Sequence, residues 1–310
     1  MGRLIVRRLF YLVVTMLLAS VALFLLFELS PEAVVVNELG PYSTQEQRQI
    51  WLEQNGFNRP PHERYLAWLS RFAVGDLGHS RLFNVPVAQI LATRLGNTAI
   101  LAAFFFAALI PLSLSLGALA GMKEGSWLDR VISFICVLTA SVPPFASTVL
   151  LSAILVFSLA LLPGTSSMMD GFSYRELIMP VAVLVLYDFG YVARMTRASM
   201  AEVMMTPYVR TALLKGLPYR RVILSHALRN ALIAPFTVIM LHVNWLVSGV
   251  IVVEFFFAFK GFGSLVLEAS LAKDLHLLEA CTMTTVVIAV CTQLAADIGY
   301  MFLNPRIRFK

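Results

Sequence analysis

Asp188 and His242 carry the most reactive side chains inside the apolar stretches of this sequence. A carboxylate and an imidazole can pass a proton between them. A charged Asp at the centre of a membrane span costs about 2.5–3.5 kcal/mol on insertion scales. Such residues face a cavity, a channel or one another. Asn244 and Ser248 stand four residues apart and share one helix face, whereas His242 points elsewhere. These four residues are candidates for a polar path, with interhelical hydrogen bonding or an interfacial position as the alternative. Glu254 and Asp297 lie near the ends of apolar stretches and suit structural or gating roles. Glu28 suits an interface. The sequence has no Walker A pattern, no H-E-x-x-H and no G-x-S-x-G. No His/Cys cluster suggests a metal site. Catalysis and a resident cofactor are therefore not expected, and energy for any transport must come from a partner or an ion gradient.

The elements that hold these residues are membrane spans. Only 14% of the 310 residues are charged and 59% are hydrophobic, against about 25% charged in a soluble domain. The mean hydropathy is +0.79. Spans of about 20 apolar residues are expected near 9–29, 97–121, 131–158, 177–193, 231–253 and 280–302. The fourth is the shortest and carries Asp188. The third contains Pro143 and Pro144 and should be kinked or broken there. The first is too long for a signal-peptide core, has no small-residue cleavage pattern after it, and is expected to be retained.

Basic residues set the orientation. Arg3, Arg7 and Arg8 precede the first span, and Lys123 and Arg130 follow the second. Arg194, Arg197, Arg210, Lys215, Arg220, Arg221 and Arg229 crowd a loop at 194–230 whose one acid is Glu202. Arg306, Arg308 and Lys310 close the chain. Both termini are thus expected in the cytoplasm. The net charge of +6 reflects this asymmetry and not nucleic-acid binding, since no basic patch is interleaved with aromatics. Cys136, Cys281 and Cys291 fall in spans and read as buried structural thiols.

Segment 30–95 is balanced, with six basic and six acidic residues, and too long to weigh in this count; it follows the first span on the outer side. Ser43 with Glu46, or Thr44 with Gln47, fits a capping box that opens a short helix to Gln54. A second helix at 62–73 gathers Tyr65, Leu66, Trp68, Leu69 and Phe72 on one face, suited to a membrane interface or to packing on the rest of the protein. Gly75-Asp76-Leu77-Gly78 forms a turn. Ser113, Gly117 and Gly121, at four-residue spacing, permit close helix packing.

The loop at 194–230 reads as helix, turn, helix. Thr206-Pro207 can open a helix that runs through Lys215. Gly216 ends it, Leu217-Pro218 turns the chain, and 220–230 is helical again. A solvated loop has no need of Val209, Leu213, Leu214, Leu217, Val222 and Ile223, so a compact knob that docks on a partner is expected.

The order R-T-A-L-L-K-G-L-P-Y-R-R-V-I-L-S-H-A-L-R-N at 210–230 resembles the EAA loop of binding-protein-dependent ABC transporter permeases. It is most similar to the dipeptide/oligopeptide/nickel permease family. The resemblance spans the chain: the basic first span, the G-D-L-G turn, Arg194-Met195-Thr196-Arg197, the acid and aromatics at 254–263, and Asn304-Pro305-Arg306-Ile307-Arg308. It implies an all-α integral membrane protein of the type I ABC importer permease fold, with six transmembrane helices and both termini cytoplasmic. Residues 1–29 would be a cytoplasmic tail and first helix, 30–95 an extracytoplasmic segment, and 96–310 a five-helix permease core in the bacterial inner membrane. It also implies a homologous second permease, two ABC ATPase subunits that hold ATP and Mg, and an extracytoplasmic substrate-binding protein that delivers peptides or a similar small polar solute. The 209–226 loop would be the coupling helix, with Arg210, Thr211 and Ala212 at the E-A-A positions, Gly216 as the motif glycine, and Lys215, Leu217, Arg220 and Arg221 beside it. The opposing reading is a proton-coupled secondary transporter that uses Asp188 and His242.

Two places depart from the family pattern. Leu214 stands where Arg is common. Phe259-Lys260-Gly261-Phe262 replaces W-P-G-L, which is expected to reshape an outer gate or a docking surface.

Overall fold

A computed structural model describes the chain except residues 1, 29–33, 37–38, 55, 169–170 and 304–310. It gives main chain alone at 2–5, 8, 27–28, 244, 247–249 and 300–303. The side chains of Glu28, Asn244 and Ser248 and the closing 304–308 motif therefore lie outside the described residues. The helices are α1 (Gly2–Glu28), α2 (Gln45–Gln54), α3 (Pro61–Ala73), α4 (Val87–Met122), α5 (Trp127–Ala140), α6 (Pro144–Ser152), α7 (Tyr174–Met204), α8 (Pro207–Leu214), α9 (Tyr219–Val222), α10 (Leu228–Ala231), α11 (Ile233–Gly249), α12 (Ile251–Phe256), α13 (Phe262–Ala272) and α14 (Leu275–Leu303). Wider π turns at Ala153–Ser158 and Ile223–Ala227 extend α6 and join α9 to α10. The chain divides into two compact units, Met1–Leu95 with Leu265–Val290, and Gly96–Ser264 with Cys291–Lys310.

In the first unit, Thr44 and Gln47 form the capping box that opens α2. The Thr44 N–H donates to Gln47 Oε1 at 2.9 Å, and the Gln47 N–H to Thr44 Oγ1 at 3.3 Å. Ser43 instead donates its hydroxyl to the Gly40 carbonyl at 2.8 Å. The aromatic face of α3 packs on the protein. Tyr65 shares a 2.8 Å hydroxyl hydrogen bond with Ser20 of α1 and sets its ring edge against Phe24 at 5.4 Å. Trp68 Nε1 donates to Glu279 Oε2 at 3.2 Å. Beyond the glycine turn lies a short hairpin absent from the sequence reading, β1 (His79–Ser80) paired antiparallel with β2 (Val85–Pro86). The buried carboxylate of Asp274 holds it, accepting from Ser80 Oγ at 2.7 Å and the Leu82 N–H at 3.0 Å. The same carboxylate caps α14 through the Leu277 N–H at 3.2 Å.

The second unit is built on α7. Its buried core gathers Leu101, Phe105 and Leu109 of α4, Ile132 and Cys136 of α5, and Leu184 and Val192 of α7, with Val238 and Leu246 of α11. Small residues set the helix spacing. A Cβ on Gly117 or Gly121 of α4 would come within 2.5 Å of the Ala193 or Arg197 carbonyl oxygen of α7. A Cβ on Gly190 would collide with the Cys136 carbonyl of α5. The four-residue spacing read from the sequence is thus a contact surface.

Among the described residues, four helices are long and apolar enough to cross a membrane, and two bent pairs raise the number to six if each pair is one span. The expected third span breaks at Pro143-Pro144, where α5 and α6 with its π turn bend by 97°. Pro143 cannot donate a helical hydrogen bond, and Pro144 starts the new helix at its first turn. The fifth is bent by 49° between Tyr219–Ala231 and Ile233–Val243. The fourth belongs to a 31-residue helix that continues without interruption into the basic loop. Cys136 and Cys281 are buried as expected, whereas Cys291 is exposed in the isolated chain.

Candidate functional site

The basic loop forms a compact corner. Thr206 leads into α8 with Pro207 at the first helical position, where a missing N–H costs nothing. The helix ends in a Schellman motif. The Leu217 N–H reaches the Ala212 carbonyl at 3.3 Å, and the Gly216 N–H reaches that of Leu213 at 3.0 Å. Gly216 has φ +76°, a conformation that other residues adopt at a cost. Pro218 then opens α9. Asn230 ties the corner's two arms, donating from Nδ2 to Tyr208 Oη at 2.9 Å and to the His226 carbonyl at 3.0 Å.

The corner has its own apolar centre. Val209, Ala212, Val222, Ile223, Ala227 and Ala231 pack with Ala118 of α4 and Met200 of α7, flanked by the half-buried Leu217. The six apolar loop residues thus divide between this centre and the outer surface. Val209, Val222 and Ile223 are already buried, and Leu213 and Leu214 face outward. Arg210, Thr211, Lys215, Gly216, Arg220 and Arg221 are exposed beside them, whereas Ala212 is not. Leu214, the departure from the family pattern, is 80% exposed. It changes what a partner would meet and leaves the fold of the corner alone.

An ion pair that sequence reasoning missed braces the approach to this corner. Arg197 grips Asp129 with both arms, Nε to Oδ1 at 2.9 Å and a terminal nitrogen to Oδ2 at 2.7 Å. Asp129 also accepts from the Gly125 N–H at 2.8 Å and from Ser133 Oγ at 3.2 Å. It is buried, so the planar fork and the extra donors replace the water it has lost. The turn between α4 and α5 is thereby fixed to the inner part of α7. The signal in the sequence was Ser126-Trp127-Leu128-Asp129, a helix-opening pattern just before the third predicted span, with Glu124 as a second acid in the same turn.

Asp188 on α7 and His242 on α11 meet. His242 Nε2 lies 2.9 Å from Asp188 Oδ1, and Nδ1 lies 2.7 Å from the Val238 carbonyl. A carbonyl only accepts, so Nδ1 carries a hydrogen. The contact at Nε2 then needs one more proton, held by the imidazole or by the carboxyl. Tyr187 and Trp245 stack beside the pair at 5.8 Å. Both side chains are buried, and the pair ties two core helices of this unit together.

Glu254 is fully buried and organises the chain that follows it. Its carboxylate accepts from Thr98 Oγ1 at 2.9 Å and from the Ser264 N–H at 2.8 Å, and Thr98 Oγ1 in turn accepts from the Phe262 N–H at 2.7 Å. Asn97 Nδ2 donates to the Lys260 carbonyl at 2.7 Å. A Cβ on Gly261 would overlap the Glu254 carboxylate, so acid and glycine require each other. Phe259 and Phe262 are buried, whereas Lys260 is exposed. The second departure from the family pattern therefore adds a surface charge and keeps the glycine. Asp297 is half-buried on α14. Among the described residues, no group of three or more His, Cys, Asp or Glu side chains is placed to hold a metal ion.

The family profile described as "Binding-protein-dependent transport system inner membrane component" matches residues 113–309. A Brucella abortus (strain 2308) protein provisionally named a peptide transport system permease is 33% identical over 317 residues, covering 100% of both chains. The oligopeptide transport system permease protein AppB of Bacillus subtilis (strain 168) is 29% identical over 316 residues, again covering 100% of both.

Proposed function

Because the chain belongs to the family of binding-protein-dependent transport system inner membrane components, we propose that it forms half of the translocation path of an ATP-driven importer for peptides or similarly small polar solutes. It is a multi-pass inner-membrane protein, all-α with up to six spans, as in the type I ABC importer permease fold. Peptide cargo rests on the names of the full-length relatives. A second permease completes the path, two ABC ATPases bind ATP and Mg, and a binding protein delivers substrate on the outer side. On this reading the permease alternates between two conformers whose populations ATP binding and hydrolysis shift.

The observation that carries the proposal is the α8–α9 corner. It has a closed apolar centre and a surface of Arg210, Thr211, Leu213, Leu214, Lys215, Arg220 and Arg221. A rigid body of this kind can transmit a push, which a solvated loop cannot. α7 runs without interruption from the Asp188 level to this corner, and the Asp129–Arg197 pair fixes it to its neighbour. The test is a pull-down of the tagged chain from its native membrane in mild detergent. Recovery of an ABC ATPase and a second six-span permease is the expected result. Recovery of the chain alone, active for solute flux in ATP-free liposomes, would overturn it.

The Asp188–His242 contact bears on the proton-coupled reading. As an interhelical tie it needs a hydrogen bond but no titration. Asp188→Asn and His242→Gln should then leave the pH dependence of transport unchanged. A shifted or flattened pH profile would favour proton coupling.

A further inference from the structure

The first unit contains a cavity of about 640 Å³ that the proposed coupling role does not use. Its walls come from α1, α2, α3 and the first turns of α14. Two features mark it as more than a packing gap. One is size, since ligand pockets run to about 300–1,000 Å³. The other is the chemistry of the lining. Trp51, Phe57 and Trp68 supply aromatic surface, with Trp51 and Phe57 at 5.7 Å between ring centres. Arg59, Arg64 and Arg71 bring positive charge, Glu63 brings negative charge, and Glu279 adds a carboxyl group. The Arg64 guanidinium lies over the Phe57 ring at 4.8 Å, and Glu279 is fixed by the Trp68 indole N–H at 3.2 Å. Arg59, Arg71 and Glu63 are exposed and face whatever enters.

A cavity lined by both signs of charge suits a zwitterion. A purely anionic group, such as a phosphate or an acidic lipid headgroup, would meet the Glu63 carboxylate as well as the guanidiniums. Guanidiniums bind carboxylates through paired hydrogen bonds, and aromatic walls accept apolar side chains. We propose that this cavity binds a short peptide in its zwitterionic form, with the terminal carboxylate at Arg71, the terminal ammonium at Glu63, about 12 Å back along α3, and a side chain against Trp51 and Trp68. The site shares no residue with the polar pairs of the second unit. The proposal deepens the peptide-import reading and rests on it for the ligand class.

The test uses the full chain alone, in phosphatidylcholine nanodiscs, with radiolabelled Ala-Phe-Ala as probe. Saturable binding is expected, weakened about tenfold or more in an Arg59→Gln/Arg71→Gln variant, as befits loss of charge-assisted hydrogen bonds. Both arginines are exposed and Gln keeps a polar, unbranched side chain, though a shorter one, so the fold should persist. Amidating the peptide C-terminus should weaken binding to the unaltered chain by a similar factor. It should have little further effect in the variant, because both changes remove the same interaction. Glu63→Gln should cost affinity for Ala-Phe-Ala and none for its N-acetylated form. Absence of saturable binding overturns the proposal, as does binding indifferent to both arginines. So does displacement of the probe by phosphatidylglycerol with equal losses for amidated and free peptide, which would assign the cavity to lipid. The measurement involves no ATPase or binding protein, so it can fail while the pull-down succeeds, and the reverse.

Discussion

Gly216 and Gly261 each sit at a sharp reversal of the chain, and they are there for opposite reasons. Gly216 adopts φ +76°, and a Cβ built on it would meet nothing within 4 Å. It is required by conformation, at a corner whose outer surface is open. Gly261 is required by space, because the Glu254 carboxylate occupies the place of its Cβ. One corner keeps its polar groups outside and its apolar residues in a small centre. The other is organised from within by a buried carboxylate that satisfies main-chain and hydroxyl donors. The first can have its surface edited without losing its shape, which suits a surface that must fit a partner. The second has no spare surface, which suits a fixed structural node.

The largest effect should come from breaking the node. Glu254→Ala leaves the Ser264 N–H and Thr98 hydroxyl without their buried acceptor, at about 1–3 kcal/mol for each group. Thermal unfolding in detergent should show a clearly lowered midpoint, and an unchanged midpoint would mean that water replaces the carboxylate. Gly261→Ala should destabilise by about 1–3 kcal/mol through overpacking. In the Glu254→Ala background that penalty should shrink, and a strictly additive double mutant would refute the mutual requirement. At the open corner, Gly216→Ala should cost about 1–2 kcal/mol for the left-handed backbone alone. Gly216→Glu should fold and insert with a similar loss but uncouple ATP hydrolysis from transport, and normal transport by that variant would remove the corner from the coupling path. The smallest stability change belongs to Leu214→Ala, within about 0.5 kcal/mol. Its measurable consequence should be weaker co-purification of the ATPase.

Much of the corner was legible beforehand, because its signals are local. Pro207 at the first helical position, Gly216 at the helix end and Pro218 after it each dictate the conformation of their own residue. The break at Pro143-Pro144 was readable for the same reason. Which apolar residues of the loop stay exposed was not readable. Val209 and Leu214 are both apolar in sequence, and only the place of Val209 in the buried cluster that includes Met200 and Ala118 separates them. Asp129, in Ser126-Trp127-Leu128-Asp129, and Asn230, at the end of the loop pattern, sit in readable local motifs and Asp274 in none, but no local motif says which distant group such a residue meets. Their importance comes from partners 68, 22 and 194 residues away. The two possible capping boxes before α2 were indistinguishable until Arg48 Nε engaged Ser43 Oγ at 2.9 Å, leaving Thr44 to cap.

Composition and local chemistry by themselves determined that this chain is a multi-span helical membrane protein, where its helices stop, and that a turn-punctuated basic corner lies before the fifth span. These follow from the cost of apolar surface in water and of unpaired backbone in lipid, which act on every residue wherever its neighbours are. Only the tertiary structure decided that Asp188 finds His242, that Arg197 closes on Asp129, and that Gly261 yields its side-chain space to Glu254. Those pairings depend on where long helices cross, and a crossing is set by the packing of whole surfaces around residues such as Gly117 and Gly121, which no single stretch of sequence contains.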